Sequence, residues 1–126
     1  MSDLIRVGIA GARRGRAFVT GLRAIPGVEV TALCDIDADF LAEQADAHDI
    51  PDRFLDYNDL LNTDVDLVIV ATPMQLHVPQ SLAALAAGKH VMSEVTAAVS
   101  IEQCKELLEG VEAAKSSGLK YMMAEN

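Results

Sequence analysis

The segment that most restricts the fold is Asp66–Ala71, with the sequence DLVIVA. After its first residue it is continuously apolar, and it is rich in β-branched side chains, which favour extended backbone. A strand with one face in water alternates apolar and polar residues, and this run does not alternate. Such a run is typical of a central strand in a parallel sheet that is covered on both faces. The sequence therefore predicts a parallel sheet with this segment near its centre.

Elsewhere the chain alternates strand patterns with helix patterns. Strands separated by helices of roughly 10 to 15 residues indicate βαβ units, whose crossovers are right-handed. The predicted fold class is α/β, with a doubly wound, parallel Rossmann-fold sheet of about six strands. The strands are predicted at Leu4–Ala10, Val28–Cys34, Arg53–Leu55, Asp66–Ala71, His90–Met92 and Leu119–Ala124.

Capping residues mark the ends of several predicted helices. Asp37 and Asp56 are expected to cap the helices that follow them. Ser100 with Gln103 has the spacing of a capping box. The first helix is expected to end at Pro26-Gly27.

Length and charge limit the possible functions. The 126 residues fit one domain, 1–126, and 19 acidic against 10 basic residues give a net charge of −9. This charge argues against a general nucleic-acid binder or a binder of anionic membranes, and no stretch reaches the ~18 apolar residues of a membrane span. Cys34 and Cys104 make neither a disulfide framework nor a CxxC site, and no histidine has a partner at metal-ligand spacing. Without a visible signal peptide, we expect a cytoplasmic domain with no metal, nucleic-acid or membrane partner.

A ligand site is expected where parallel strands end. In open α/β sheets, ligands bind outside the carboxyl ends of the strands. The first strand runs into the glycine turn Gly8–Gly15 (GIAGARRG), where Arg13, Arg14 and the helix N-terminus can attract a pyrophosphate. The G-x-G-x-x-G fingerprint is not intact, because with Gly11 as its first glycine Arg13 occupies the second position. The alternatives are an ordinary strand-to-helix turn and a solvated, basic helix face.

Asp35 supports a dinucleotide at this edge. It ends the second strand and follows Gly11 by 24 residues, near the spacing of a ribose-binding acid. A carboxylate there accepts hydrogen bonds from both adenosine ribose hydroxyls and repels a 2′-phosphate, which favours NAD over NADP. An exposed loop acid or a helix cap is the alternative. Because Asp37 can serve as the cap, Asp35 is expected to be free.

The loop after the central strand supplies the third set of candidates. Thr72 can offer a hydroxyl to a cofactor, and Pro73 ends the strand because it lacks an N–H group. His77 can either cap the next helix or face the cleft.

Taken together, these residues resemble the glucose–fructose oxidoreductase / inositol dehydrogenase / MocA family. The resemblance covers nearly the whole chain and is carried by VATPMQLHVPQSLAALAAGKHVMSE, which ends at Glu94, together with the glycine turn and the segment CDID. It implies NAD as the cofactor, with Gly11–Gly15 at the pyrophosphate and Glu94 and Asn126 near the nicotinamide. The implied cofactor-binding residues are Gly11, Ala12, Arg13, Arg14, Gly15, Asp35, Ile36, Ala71, Thr72, Pro73, His77, Glu94 and Asn126.

The resemblance also implies a function and a larger protein. The leading hypothesis is the NAD-binding domain of an oxidoreductase that acts on a sugar, polyol or related hydroxy compound. A second domain, absent from this chain, would supply most substrate contacts and the homo-oligomer interface, so the domain alone is expected to be inactive and no catalytic residue is named. This chain has Glu94-Val95-Thr96 where the family has Glu-Lys-Pro, so Val95 stands in place of the family's lysine and cannot perform its role. The segment EVTAA, followed later by MMAEN, resembles another branch of the same superfamily, which gives the first alternative, a redox-neutral, NAD-dependent glycoside hydrolase. The missing lysine is compatible with the second alternative, a non-catalytic NAD-sensing regulator.

Overall fold

The structure, a computed structural model, describes residues 4–125 and contains a six-stranded sheet. All neighbouring strands are parallel, in the order β3-β2-β1-β4-β5-β6. This is the strand order of a doubly wound Rossmann sheet, which confirms the predicted fold class. The strands are β1 (Ile5–Ala10), β2 (Val28–Cys34), β3 (Asp52–Phe54), β4 (Leu67–Val70), β5 (His90–Glu94) and β6 (Tyr121–Ala124).

The helices occupy the connections between the strands. The first connection is not one regular helix: two short helices are joined by a 3-10 turn at Arg16–Phe18, and helical structure ends at Arg23, before Pro26-Gly27. The helices are α1 (Ala12–Gly15), α2 (Val19–Arg23), α3 (Ala38–Ala47), α4 (Tyr57–Leu61), α5 (His77–Ala86) and α6 (Ile101–Lys115). Within residues 4–125, no helix has both the length and the apolar character needed to cross a bilayer.

The predicted caps form, with one change at α6. Side chains of Asp37 and Asp56 accept hydrogen bonds from backbone N–H groups in the first turns of α3 and α4. The Ser100 hydroxyl accepts from the N–H of Gln103 at 3.1 Å. The Gln103 side chain accepts from Val99 instead of Ser100, so the reciprocal half of the capping box lies one residue earlier.

Strand β4 packs against a hydrophobic cluster on each face of the sheet. Ile69 belongs to the cluster that contains Ile9 and Leu33, and Val68 and Val70 belong to the cluster on the opposite face. All three β4 side chains are fully buried. Burial on both faces is the physical reason why this strand has no polar alternation.

The strand order determines where a ligand can enter. Strands β2 and β4 both pair with β1, and the connections that follow β1 and β4 leave in opposite directions along the sheet. A crevice therefore opens between the carboxyl ends of β1 and β4.

Candidate functional site

A cleft of about 600 Å³ lies at the carboxyl ends of β1, β2 and β4. A cleft of this size is within the range of small-molecule and cofactor sites. Most of the residues expected to hold the cofactor line it, and these are Gly11, Arg13, Arg14, Asp35, Ile36, Ala71, Thr72 and Pro73.

Gly11 makes the close approach between the turn after β1 and the end of β4 possible. Its φ is +94°, which L side chains rarely adopt. A Cβ there would lie 2.5 Å from the carbonyl oxygen of Ala71 and 2.9 Å from the nitrogen of Thr72. A glycine is therefore required at this position for the backbone of both loops to border one cleft.

The carboxylate of Asp35 is hydrogen-bonded to backbone on two sides. Its Oδ2 accepts from the N–H of Ala12 at 2.8 Å, and its Oδ1 accepts from the N–H of Asp37 at 2.9 Å. The expectation that capping by Asp37 leaves Asp35 free was therefore wrong, although Asp37 does cap α3. A carboxylate has about four acceptor sites. Asp35 thus keeps acceptor capacity toward the cleft while its orientation is fixed.

Arg13, at the second fingerprint position, lies at the mouth of the cleft. Its guanidinium is 3.6 Å from the Asp37 carboxylate and 4.2 Å from the centre of the Phe40 ring. Ile36, between the two acids of this loop, is almost fully exposed at 94%. The guanidinium of Arg13 thus already has an acidic partner, Asp37, and an aromatic partner, Phe40.

Arg14 connects the turn after β1 to the end of β5. Its Nε donates to Oε2 of Glu94, whose other oxygen accepts from the N–H of Val95 at 3.1 Å. Glu94 is buried and does not line the cleft, whereas Arg14 is half exposed and does. The acid is therefore placed behind the arginine, with its negative charge paired.

His77 is buried, with only 1% of its surface exposed, and does not line the cleft. Both of its ring nitrogens face backbone carbonyl oxygens, Nε2 that of Thr72 and Nδ1 that of Thr96, each at 2.6 Å. His77 therefore lies behind the lining, with both of its ring nitrogens already occupied by backbone of two loops.

Two further expected residues, Ala12 and Gly15, lie outside the lining. Ala12 is fully buried and contributes its N–H to Asp35. Gly15 is buried against the Ile9 side chain, which a Cβ would strike. Asn126 lies outside the described residues.

One wall of the cleft was not predicted from the sequence, and it is formed by residues after β3 and by residues at the start of α5 and just before it. The rule that ligands bind at strand ends would have found Leu55 and Tyr57 if it had been applied to β3. The Tyr57 hydroxyl donates to the Gln80 carbonyl at 2.7 Å, and the Thr72 hydroxyl donates to the Gln80 side-chain oxygen at 2.6 Å. The missed lining residues are Ala10, Cys34, Asp37, Leu55, Tyr57, Leu76 and Gln80.

The two titratable groups in the buried wall are held protonated. Burial first, and then the neighbouring acids Asp35, Asp56 and Asp59, raise the pKa of the Cys34 thiol to about 12. Burial also raises the pKa of the Tyr57 hydroxyl. This wall therefore stays neutral even at alkaline pH, and Asp35 and Asp37 carry the negative charge that lines the cleft.

Comparison with known proteins agrees with this geometry. Residues 5–125 match the family GFO_IDH_MocA, described as an oxidoreductase family with an NAD-binding Rossmann fold. Glycosyl hydrolase family 109 protein 2 of Shewanella sp. (strain ANA-3) is 40% identical over 135 residues, covering 98% of this chain and 29% of the relative.

Two solved structures share the architecture. The scyllo-inositol dehydrogenase from Lactobacillus casei, solved with bound NAD(H) and scyllo-inositol, is 26% identical with a TM-score of 0.87 and covers 96% of this chain and 36% of that one. The WlbA dehydrogenase from Bordetella pertussis, solved with NADH and UDP-GlcNAcA, is 25% identical with a TM-score of 0.87 and covers 96% and 35%.

These matches concern a defined part of the longer relatives. The chain spans about 29% of the length of the curated relative and about 36% of the inositol dehydrogenase. The family match extends from β1 to the residue after β6. The chain therefore belongs to the GFO_IDH_MocA oxidoreductase family, in which it is an NAD-binding Rossmann domain.

Proposed function

We propose that the cleft binds NAD in an extended pose, with the adenosine ribose at Asp35 and the pyrophosphate over the turn Gly11–Gly15. The observation that carries this proposal is the carboxylate of Asp35, fixed by two backbone N–H groups at the edge of the cleft. Its remaining lone pairs accept hydrogen bonds from the ribose hydroxyls. The glycine turn beside it supports this pose, because its backbone approaches the end of β4 without side chains in between.

The carboxylates of Asp35 and Asp37 favour binding of NAD over binding of NADP. A 2′-phosphate at the ribose would lie against the carboxylates of Asp35 and Asp37. Like charges at this distance repel each other, and the nearby cation of Arg13 is already paired with Asp37. The acidic pair therefore lowers the affinity for NADP relative to NAD.

The pyrophosphate is held by backbone and by one adjustable cation. Helix geometry leaves the N–H groups of first-turn residues such as Arg13 and Arg14 without intrahelical acceptors. Arg14 lines the cleft and is half exposed, so its guanidinium can contact a phosphate oxygen while Glu94 stays behind it. These groups replace the missing second glycine contact with charge-assisted hydrogen bonds.

The nicotinamide end is assigned to the loop after β5. Bound NAD supplies the hydride acceptor for oxidation of a carbinol carbon. Val95 is 44% exposed in this loop and can neither donate a hydrogen bond nor transfer a proton. The base for the substrate hydroxyl must then come from a part of the protein beyond this domain.

We also propose how this domain functions within a longer, full-length protein. A second domain would complete the substrate site, and the substrate would be a sugar, a polyol or a related hydroxy compound. The full-length protein would be a homo-oligomer in the cytoplasm. The substrates printed for the two structural neighbours, scyllo-inositol and UDP-GlcNAcA, support this substrate class.

One observation favours a second candidate, a redox-neutral NAD-dependent glycoside hydrolase. The similarity to the family 109 glycosyl hydrolase is 40%, above the identity to either dehydrogenase structure. Both candidates need the same NAD site in this domain. They differ in net turnover, because an oxidoreductase accumulates NADH and a redox-neutral hydrolase does not.

Calorimetric titration of the chain with NAD and with NADP tests the cofactor site. We expect saturable NAD binding and weaker NADP binding. Asp35→Ala should weaken NAD binding on the order of tenfold and narrow the preference over NADP, because the 2′-phosphate no longer meets that carboxylate. Asp39→Ala, which removes an exposed acid in the first turn of α3, is the matched control and should leave both affinities unchanged.

The ratio of NAD affinity to NADP affinity shows whether Asp35→Ala removes a contact with the ribose or only disturbs the fold of the turn. A variant that merely loosens the turn would weaken both cofactors equally. Equal weakening, or absence of NAD binding by a folded chain, would contradict the site at Asp35. Turnover of the longest natural form with sugars and polyols then distinguishes the candidates: NADH accumulation supports the oxidoreductase, sugar release without NADH supports the hydrolase, and NAD binding without turnover supports a regulator.

A further inference from the structure

The imidazole of His77 connects the two loops that leave the carboxyl ends of β4 and β5. It is the first residue of α5, and its ring nitrogens are 2.6 Å from the carbonyl oxygens of Thr72 and Thr96. Thr72 lines the cleft, and Thr96 is two residues beyond Glu94, the partner of Arg14. His77 thus joins the loop after β4, which lines the cleft, to the loop after β5.

The two contacts require two donors on one ring. A carbonyl oxygen only accepts hydrogen bonds, and a neutral imidazole carries a single N–H. In the neutral form, one ring nitrogen would direct its lone pair at a carbonyl oxygen 2.6 Å away, which is repulsive. The imidazolium donates at both nitrogens and satisfies both carbonyls.

We infer that His77 is a proton-dependent clamp: as the imidazolium it holds the loops after β4 and β5 together at the cleft, and on deprotonation it releases one of them. It acts as a positioning residue, through Thr72 and Thr96, and does not touch the cofactor.

The two loops that the ring connects carry no charged side chain close to it in sequence. The segments 71–88 and 95–101 contain no Asp, Glu, Lys or Arg. Among residues 4–125, no carboxylate makes an ion pair with the ring. The charged residues that flank these two segments are Lys89, Glu94 and Glu102, and Glu102 lies on α6, which packs against α5.

Opposing effects act on the ring charge. The start of a helix carries partial positive charge, which disfavours a cation at the first residue of α5. Burial acts in the same direction, because it removes water from a charged ring, whereas the two carbonyl oxygens favour the doubly protonated ring by accepting from both nitrogens. The clamp therefore depends on the two carbonyl contacts, because only the imidazolium can donate from both ring nitrogens.

The protonation state is measured by two-dimensional ¹H–¹⁵N NMR of the histidine rings in the 15N-labelled chain, without cofactor. The chain has three histidines, so the spectra of His48→Asn and His90→Asn variants assign the His77 signals by elimination and need no substitution of His77 itself. We expect two protonated ring nitrogens on His77 at low pH and one above its titration. A single protonated nitrogen at every pH would overturn the clamp.

The functional consequence rests on the proposed NAD site and is tested separately. NAD affinity of the wild-type chain should fall on the order of tenfold as pH rises through the interval in which NMR shows His77 losing its proton. His77→Asn and His77→Gln should remove that step, whereas His48→Asn should retain it.

The two failures are distinguishable. A constant NAD affinity across the titration of His77 would overturn its control of the cleft while leaving the NAD site intact. Absence of NAD binding at every pH would contradict the proposed function, and the NMR result would still decide whether the ring is doubly protonated. If both His77 variants fail to fold, agreement between the wild-type titration and the wild-type affinity step decides the inference.

Discussion

The carboxylate of Asp35 accepts a hydrogen bond from the backbone N–H of Ala12, with 2.8 Å between Oδ2 and the nitrogen. This bond joins the end of β2 to the first residue of α1, across 23 positions of sequence. The residue assigned to the adenosine ribose therefore also holds the turn assigned to the pyrophosphate. Loss of the carboxylate is expected to affect the fold of the turn as well as the ligand.

Substitution of Asp35 by Asn should lower the free energy of unfolding by about 1–2 kcal/mol. Asparagine has one acceptor oxygen for the two N–H groups of Ala12 and Asp37, so one is left without its partner. Urea unfolding measures the change. Asp39→Asn, whose side chain is exposed, should change stability by less than about 0.5 kcal/mol, and equal effects of the two substitutions would argue against the structural role of Asp35.

Substitution of Gly11 by Ala should destabilise the domain by about 2–4 kcal/mol. The added Cβ would meet the backbone of Ala71 and Thr72, which cannot move without shifting β4. The control is Gly21→Ala in α2, where the Cβ meets no atom within 4 Å, and there we expect a gain of about 0.5–1 kcal/mol. Thermal unfolding of both variants decides the question, and a harmless Gly11→Ala would contradict the close approach.

The ion pair between Arg14 and Glu94 should respond asymmetrically to removal of either partner. Glu94 is buried, so Arg14→Gln leaves a carboxylate without its cation and should cost about 1–3 kcal/mol. Glu94→Gln leaves a half-exposed arginine that water can solvate, and should cost less than about 1 kcal/mol. A double-mutant cycle measured by urea unfolding gives the coupling, and two equal costs would indicate that Glu94 is accessible to water.

The two cysteines should differ in their reaction with a thiol reagent. Cys34 is buried and its pKa is raised to about 12, mainly by burial, whereas Cys104 is exposed. At pH 8 Cys34 is therefore a thiol, and we expect its modification to be on the order of a hundredfold slower. Single variants Cys34→Ser and Cys104→Ser assign the two rates, and rapid modification of Cys34 would show that the cleft wall opens.

The raised pKa of the Cys34 thiol predicts how the free energy of unfolding changes above pH 9. An unfolded cysteine loses its proton near pH 9, whereas folded Cys34 retains it to about 12. Its contribution to stability is therefore present below pH 9 and is lost as pH rises toward 12. The free energy of unfolding of Cys34→Ser should fall less over this interval than that of the wild-type chain.

Much of the fold could be predicted because the local signals agree with the tertiary structure. The run around Ile69 lacks polar alternation because both faces of β4 are covered. The caps at Asp37 and Asp56 depend on backbone only two or three residues away. The prediction of the first helix was less accurate. Its apolar spacing is compatible with one continuous helix, but the chain forms a 3-10 turn at Arg16–Phe18.

The amino-acid sequence by itself determined the alternation of strands and helices, the glycine turn and the acid at the end of β2, because each depends on neighbouring residues or on fixed spacing. Tertiary structure alone decided which polar side chains meet partners that are distant in sequence. Arg14 contacts Glu94 across 80 positions, and the ring of His77 reaches Thr96 across 19. These contacts exist because the sheet order brings the loops after β1, β4 and β5 to one edge, and no local pattern specifies which side chains meet there.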